Sequence, residues 1–345
     1  MLLLLVVTGC VISPRRTLGG GPTPTPTPTG SPTPTPTATP QGKLYVSNSG
    51  NNSIVRFDSA FIDSGNIIPA ATISGANTTL TAPAYITLDA ANDRLYVANN
   101  ADLSILIFDN ISTKNGNVAP ERTISGGATT LVSPSDLTLD RGRNLLYVAD
   151  DIDIQVFSSA STATGNIAPA RTLSPGFAVA AVFIDGTNDR LYAANSASNS
   201  ITIYDNASTL ASGPVTASRT IQGAATHLAT PSGIQLDGSG RLVVSNAAPP
   251  SITIYNNAAV ANGNIAPAGE ITGSNTGFSV PNQIAVDTTG TGTLYIADPN
   301  AARIAVYTSL TTATGNIAPN RAIVGPGTTL SVASSPVGVA IDTTR

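Results

Sequence analysis

One cysteine, Cys10, and one histidine, His227, are all the thiol and imidazole this chain contains. Intramolecular disulfides are therefore impossible. A zinc site of the Cys/His kind is excluded beyond residue 43, where no cysteine remains. A lone histidine invites a general-base reading. Yet His227 sits in Ala-Thr-His-Leu228, where related stretches carry Thr79-Leu80, Thr130-Leu131 and Thr329-Leu330. It reads as a substitution in a variable loop. Oxygen ligands offer more. Asp102, Asp136, Asp150, Asp151 and Asp153 form one carboxylate-rich sector, and such clusters can hold Ca²⁺ or Mg²⁺. The two glutamates, Glu121 and Glu270, fall on predicted outer strands. No Ser/His/Asp arrangement and no phosphate loop is present.

Charge narrows the function classes. Charged residues are 10% of the chain and the formal net charge is −4. Binding nucleic acid needs clustered basic side chains to neutralise phosphates. The sequence has no such cluster, so nucleic acid is not an expected partner.

The elements that must position these residues are short strands. In Pro83–Asp109, Ile86 and Leu88 alternate with small or polar neighbours. Leu95 and Val97, then Ile105 and Ile107, repeat the same period of two. Asp89–Asp93 and Asn99–Asp102 interrupt them as turns, and a fourth strand is expected at Glu121–Ser125. The unit recurs. Its second strand begins at Leu44, Leu95, Leu146, Leu191, Leu242 and Leu294, each roughly fifty residues from the last. Its first strand ends at Asp89, Asp140, Asp185, Asp237, Asp287 and Asp342. Four strands per unit in a meander predict an all-β fold, a six-bladed β-propeller of antiparallel blades. The repeat region opens at Lys43 on a second strand, and the chain stops at Arg345 just after a first strand. One C-terminal strand should therefore join three N-terminal strands and close the ring, leaving no long bare sheet edge.

These motifs resemble the NHL-repeat propellers. The resemblance rests on a proline, a hydrophobic-x-hydrophobic-Asp strand, then Leu146-Tyr-Val-Ala-Asp150 or Leu294-Tyr-Ile-Ala-Asp298, and covers residues 43–345. The units here are longer, through a loop bearing Gly65-Asn66, Gly116-Asn117, Gly165-Asn166, Gly263-Asn264 or Gly315-Asn316. Fold does not fix activity. The resemblance implies ligand binding at the channel mouth, on the rim where blades are joined. The candidate rim residues are Tyr85, Gln283, Asn99, Asn195 and Asp298. Propeller lactonases of the gluconolactonase and paraoxonase type place a catalytic metal in such a channel, and the carboxylate sector is the candidate place for one.

Positions shared by the blades are expected to be structural. The six strand-ending aspartates should bond to backbone in Asx-type turns, and the Gly-Asn pairs should supply bends. Arg122, Arg171, Arg219 and Arg321 share a place on the outermost strand, where charge discourages edge pairing.

Residues 1–10 are apolar and end in Val7-Thr8-Gly9-Cys10, which looks like a bacterial lipobox with Cys10 as the lipidation site. The run is too short to span a bilayer. Residues 11–42 are a tether in which Pro22–Thr29 and Pro32–Thr37 alternate Pro with Thr, and about 19 residues of polyproline-II at ~3.1 Å each predict a reach of roughly 60 Å. The whole reads as a lipid-anchored, extracytoplasmic, monomeric propeller. Its expected role is a non-catalytic binding or surface-structural module for a protein or glycan. The alternative is a metal-dependent hydrolase or lyase.

Overall fold

The computed structural model describes residues 41–289 and 292–345. The lipobox, Cys10 and nearly all of the tether lie outside the described residues. Six four-stranded antiparallel blades form a closed ring. Blade II shows the pattern, with strands Pro83–Asp89, Arg94–Asn99, Ser104–Asp109 and Arg122–Ile124 running from the channel outward. Blades III to VI begin at Pro134–Asp140, Ala181–Asp185, Pro231–Leu236 and Ile284–Asp287. Blade I is built from both ends of the ring. Pro336–Asp342 lies innermost and pairs antiparallel with Lys43–Asn48, with Val46 opposite Val339. Ser53–Phe57 and Ala71–Ile73 follow outward. The closure expected from the sequence is therefore present.

The cores lie between blades. Tyr96, Ala98 and Ile107 of blade II pack against Leu137, Leu146 and Phe157 of blade III. Leu95 and Val97, one residue out of phase, pack against Tyr45 and Ile54 of blade I. Successive side chains of a strand point to opposite faces, so a second strand wedged between two neighbours must be apolar throughout. That is why these strands read as an unbroken Leu-Tyr-Val-Ala.

The strand-ending aspartates behave as expected. Asp89 accepts from the backbone N–H of Asn92, Asp140 from Arg143, Asp185 from Asn188 and Asp237 from Ser239. Asp287 and Asp342 do the same for Thr289 and Thr344.

The outer strands are not guarded by bare charge, and here the expectation is corrected. The Gly-Asn loop of each blade crosses to the outer strand of the blade before it and pairs in parallel. The partners are Ile73 with Gly116, Ile124 with Gly165, Ile221 with Gly263, Ile271 with Gly315, and Ile323 with Gly65. Blade IV lacks the Gly-Asn pair, and Leu173–Ser174 of blade III pairs instead with Gly213–Pro214. Every blade junction thus carries an outer clasp. The loop asparagine adds a second bond. Asn117 Oδ1 accepts from the Asn77 N–H at 2.8 Å and Asn166 Oδ1 from Ala128 at 2.7 Å.

The arginines also reach across. Arg171 donates to the carbonyls of Ala207 and Leu210, both at 3.0 Å. Arg321 donates to those of Ala60 at 2.9 Å and Asp63 at 2.8 Å, and Arg122 to that of Ser161. Arg219 stays on its own blade with Asp205.

Candidate functional site

The first strands line the channel, and each brings one residue to the same level. These are Gly338, Tyr85, Asp136, Ala181, Gly233 and Gln283, from blades I to VI in turn. Opposite blades are II and V, III and VI, and IV and I. The facing pairs are therefore Tyr85 with Gly233, Asp136 with Gln283, and Ala181 with Gly338. Large side chains face small ones or each other, and the layer closes the channel.

Gln283 makes most of the closure. Its Oε1 accepts from the N–H of Ile86 at 3.1 Å and of Val339 at 2.9 Å. Its Nε2 donates to the Ile86 carbonyl at 2.9 Å and to Asp136 Oδ1 at 3.3 Å. One side chain of blade VI thereby ties blades I, II and III. It needs room. A Cβ on Gly338 would stand 3.1 Å from Gln283 Oε1, 2.3 Å from Ser47 Oγ and 2.8 Å from the Ala84 carbonyl. Tyr85 spans the channel and donates its hydroxyl to the Ser232 carbonyl at 2.9 Å. Burial pushes that hydroxyl far above the ordinary phenol range, with the nearby Asp136 adding to the shift.

Asp136 is only 4% exposed. Its Oδ1 accepts from the Leu137 N–H at 2.8 Å and its Oδ2 from the Val182 N–H at 2.8 Å. Burial in this apolar wall raises its pKa to about 7. No cation is paired with it among the described residues.

Two hollows flank this layer, and no residue lines both. On the side where blades are joined, a recess of about 240 Å³ is bordered by Tyr85, Ser49, Asn100, Ser135, Asn282 and Val337. On the opposite side lies a deeper cavity, also about 240 Å³. Its floor is Asp136 and Gln283. Its walls include Val182, Phe183, Ile234, Val286 and Ile341, and its outer end is Arg141. Arg141 is paired with Asp89 at 2.9 Å and its side chain is 56% exposed.

The expected rim and metal residues divide sharply. Asn99, Asn195 and Asp298 stand at second-strand ends and serve backbone. Asn99 Oδ1 accepts from Thr81 N–H, Asn195 Oδ1 from Ser198, and Asp298 from Ser279 and Val280. Asp150 is of this set, accepting from Val132 and Ser133. Asp153 accepts from the Ser174 hydroxyl at 2.6 Å. Asp151 sits at φ 55° in a hairpin turn, and Asp102 is exposed at the neighbouring one. The five carboxylates are spread over hairpin turns, strand ends and the channel. Among the described residues, no three His, Cys, Asp or Glu side chains are placed to hold one metal ion. His227 Nδ1 lies 2.9 Å from Glu270 Oε2 on the outer surface, remote in the fold from the channel layer.

Sequence reasoning singled out Tyr85, Asp136 and Gln283 but set them on an open rim. The signal that places them inside was available. Listing the six equivalent positions in ring order shows large residues opposite small ones.

No protein-family model matches this chain, and no curated protein does. Solved structures do match. The crystal structure of a nidogen/laminin complex includes a chain 13% identical in sequence. That match covers 87% of this chain and 98% of that one, with a TM-score of 0.57. A functionally unknown protein from Desulfotomaculum acetoxidans is 12% identical, covers 84% of each chain and has a TM-score of 0.53. At these identities the likeness shows the β-propeller fold alone.

Proposed function

We propose that this chain is a lipid-anchored, extracytoplasmic propeller of NHL-like type that binds a protein or glycan without catalysing a reaction. The observation that carries this reading is the closed channel layer. Tyr85 and Gln283, the large polar side chains that could greet a substrate, spend their hydrogen bonds on other blades. With a clasp at every junction, the ring is a stiff platform, which suits presenting a surface. The Val7-Thr8-Gly9-Cys10 motif and the Pro/Thr tether supply the anchor and the stand-off.

Two measurements test the parts separately. Mass spectrometry of the membrane fraction should find diacylated Cys10 as the mature N-terminus; an unmodified Cys10 removes the anchor. Thermal melts in chelator, then in excess Ca²⁺ or Mg²⁺, should coincide, and lactone and ester substrates should not turn over. Asp136 favours a second reading, a hydrolase of the propeller lactonase type, because a buried carboxyl poised near neutral pH suits a general base. A cation-dependent rise in melting temperature, with turnover lost in Asp136→Asn, would replace the first reading by the second.

A further inference from the structure

Two residues past the channel layer, each first strand turns a second side chain to the axis, because alternate residues of a strand share a face. In ring order these are Ala340, Thr87, Thr138, Phe183, Gln235 and Ala285, and all six line the deeper cavity. Blades I and VI have alanine here, so the fold asks for no more than a small side chain. Blades II, III and V instead present two hydroxyls and an amide. The side chains of Thr87 and Gln235 are half-buried and make no hydrogen bond to the protein among the described residues. Thr138 Oγ1 accepts from the Ile184 N–H at 3.2 Å, which leaves its own proton to donate.

Charge and polarity narrow what fits. Arg141 is the one base on the lining, and Asp89 matches it at 2.9 Å. Asp136 is the one acid, and burial keeps it protonated up to about pH 7. Below that pH the cavity selects neither an anion nor a cation. Asp136 Oδ1 already accepts from the Leu137 N–H and from Gln283 Nε2, so the carboxyl proton falls to Oδ2. The accessible lining is mainly polar, which disfavours a hydrocarbon. Hydroxyl, amide and carboxyl groups each both donate and accept, and another hydroxyl answers all three. Phe183 is the one aromatic side chain on the lining. The space of about 240 Å³ is less than the ~300 Å³ at which drug-sized pockets begin, so it suits one ring rather than a chain.

We propose that this cavity binds a neutral polyhydroxy compound of monosaccharide size, its hydroxyls on Thr87, Gln235 and the Asp136 carboxyl and its C–H face on Phe183. Thr87 and Gln235 stand on opposite blades and reach the ligand from two sides. The site lies across the channel layer from the blade linkers. It is therefore independent of the anchor and of any partner on the linker side.

The test is calorimetric titration of the full-length chain at pH 6 with D-glucose, D-galactose, D-mannose and myo-inositol, with cyclohexanol as the apolar counterpart. Saturable binding of at least one of the four is expected, and none of cyclohexanol. Thr87→Val and Gln235→Leu should each weaken that binding roughly three- to tenfold, the scale of one neutral hydrogen bond. Neither side chain bonds within the fold, so both variants should melt with the unmodified chain. Amide spectra of the unmodified chain supply a second readout that needs no variant. Shifts should concentrate at Thr138, Phe183 and the side-chain amides of Gln235 and Gln283. Absence of saturable binding by all four, equal binding of cyclohexanol, or undiminished binding in both variants would overturn the proposal. Shifts confined to the linker-side recess around Ser49 and Asn282 would also overturn this site, while supporting the glycan reading of the other face.

Discussion

The outer wall of the ring and the centre of its channel follow opposite rules. At the wall, each junction repeats one solution, a loop from the next blade paired on the outer strand, and five of the six loops carry Gly-Asn. At the centre, no two polar side chains repeat. Tyr85, Asp136 and Gln283 occur once each, and glycine or alanine fills the other equivalent positions. Repetition marks what every junction needs. Singularity marks what the ring needs only once, a closed middle and one buried carboxyl. A repeat protein separates its structural and its specific residues in this way because neighbouring units impose the same packing demands, while the axis is shared by all.

Breaking the centre should cost most. Gln283→Leu removes the partners of the Ile86 N–H, the Val339 N–H and the Ile86 carbonyl together. Each buried group left unpaired costs about 1–3 kcal/mol, so urea unfolding should show a loss of roughly 3–9 kcal/mol.

Asp136 sharpens the contrast through pH. The folded chain keeps this proton up to about pH 7, while the ordinary carboxyl value is 3.8. The folded state therefore binds the proton more tightly. Its contribution to stability is complete below that ordinary value and is lost as pH rises through about 7, an order of a few kcal/mol. Urea midpoints measured from pH 4 to 8 should fall across this window. In Asp136→Asn that decline should be much smaller, the remainder coming from Asp63 and Asp150, whose carboxyls burial also raises.

Changes at the wall should cost less and be local. Gly126 has φ 110°, and a Cβ there would meet Asn166 Oδ1 at 2.6 Å. Gly126→Ala should lose about 1–3 kcal/mol. Adding Asn166→Ala should recover part of that loss, because the collision and the clasp are the same contact; strict additivity of the two would refute the clasp geometry. Asn117→Ala alone, removing one bond to Asn77, should cost about 1 kcal/mol.

The wall and the centre were also unequally legible in the sequence. Blade number, strand order and closure follow from period-two runs and from the register of Leu44 to Leu294, because local patterning sets them. The Asx role of Asp89 and its equivalents is equally local, a bond to backbone two or three residues on. The clasps are not. Asn117 bonds to Asn77, on a turn leaving another blade, and nothing within its own repeat names that partner. The arginines failed for the same reason. Arg321 on an outer strand looks like an edge charge until the carbonyls of Ala60 and Asp63 are placed beside it. Gln283 and Tyr85 stood out as unique, yet uniqueness does not say whether a side chain meets solvent or the blade opposite. Size complementarity across the ring does, as Tyr85 facing Gly233 shows. The carboxylate sector comes from two neighbouring blades but does not converge in space, since alternate residues of a strand point to different faces.

The most direct test of a closed centre holding one uncompensated acid is the titration of Asp136 itself, followed by the carbon resonance of its carboxyl group in the full-length chain. The account predicts a midpoint near pH 7, absent from the spectrum of Asp136→Asn. A midpoint near the ordinary carboxyl value of 3.8 would mean that solvent or a counter-charge reaches the carboxyl. The channel layer as described would then be contradicted.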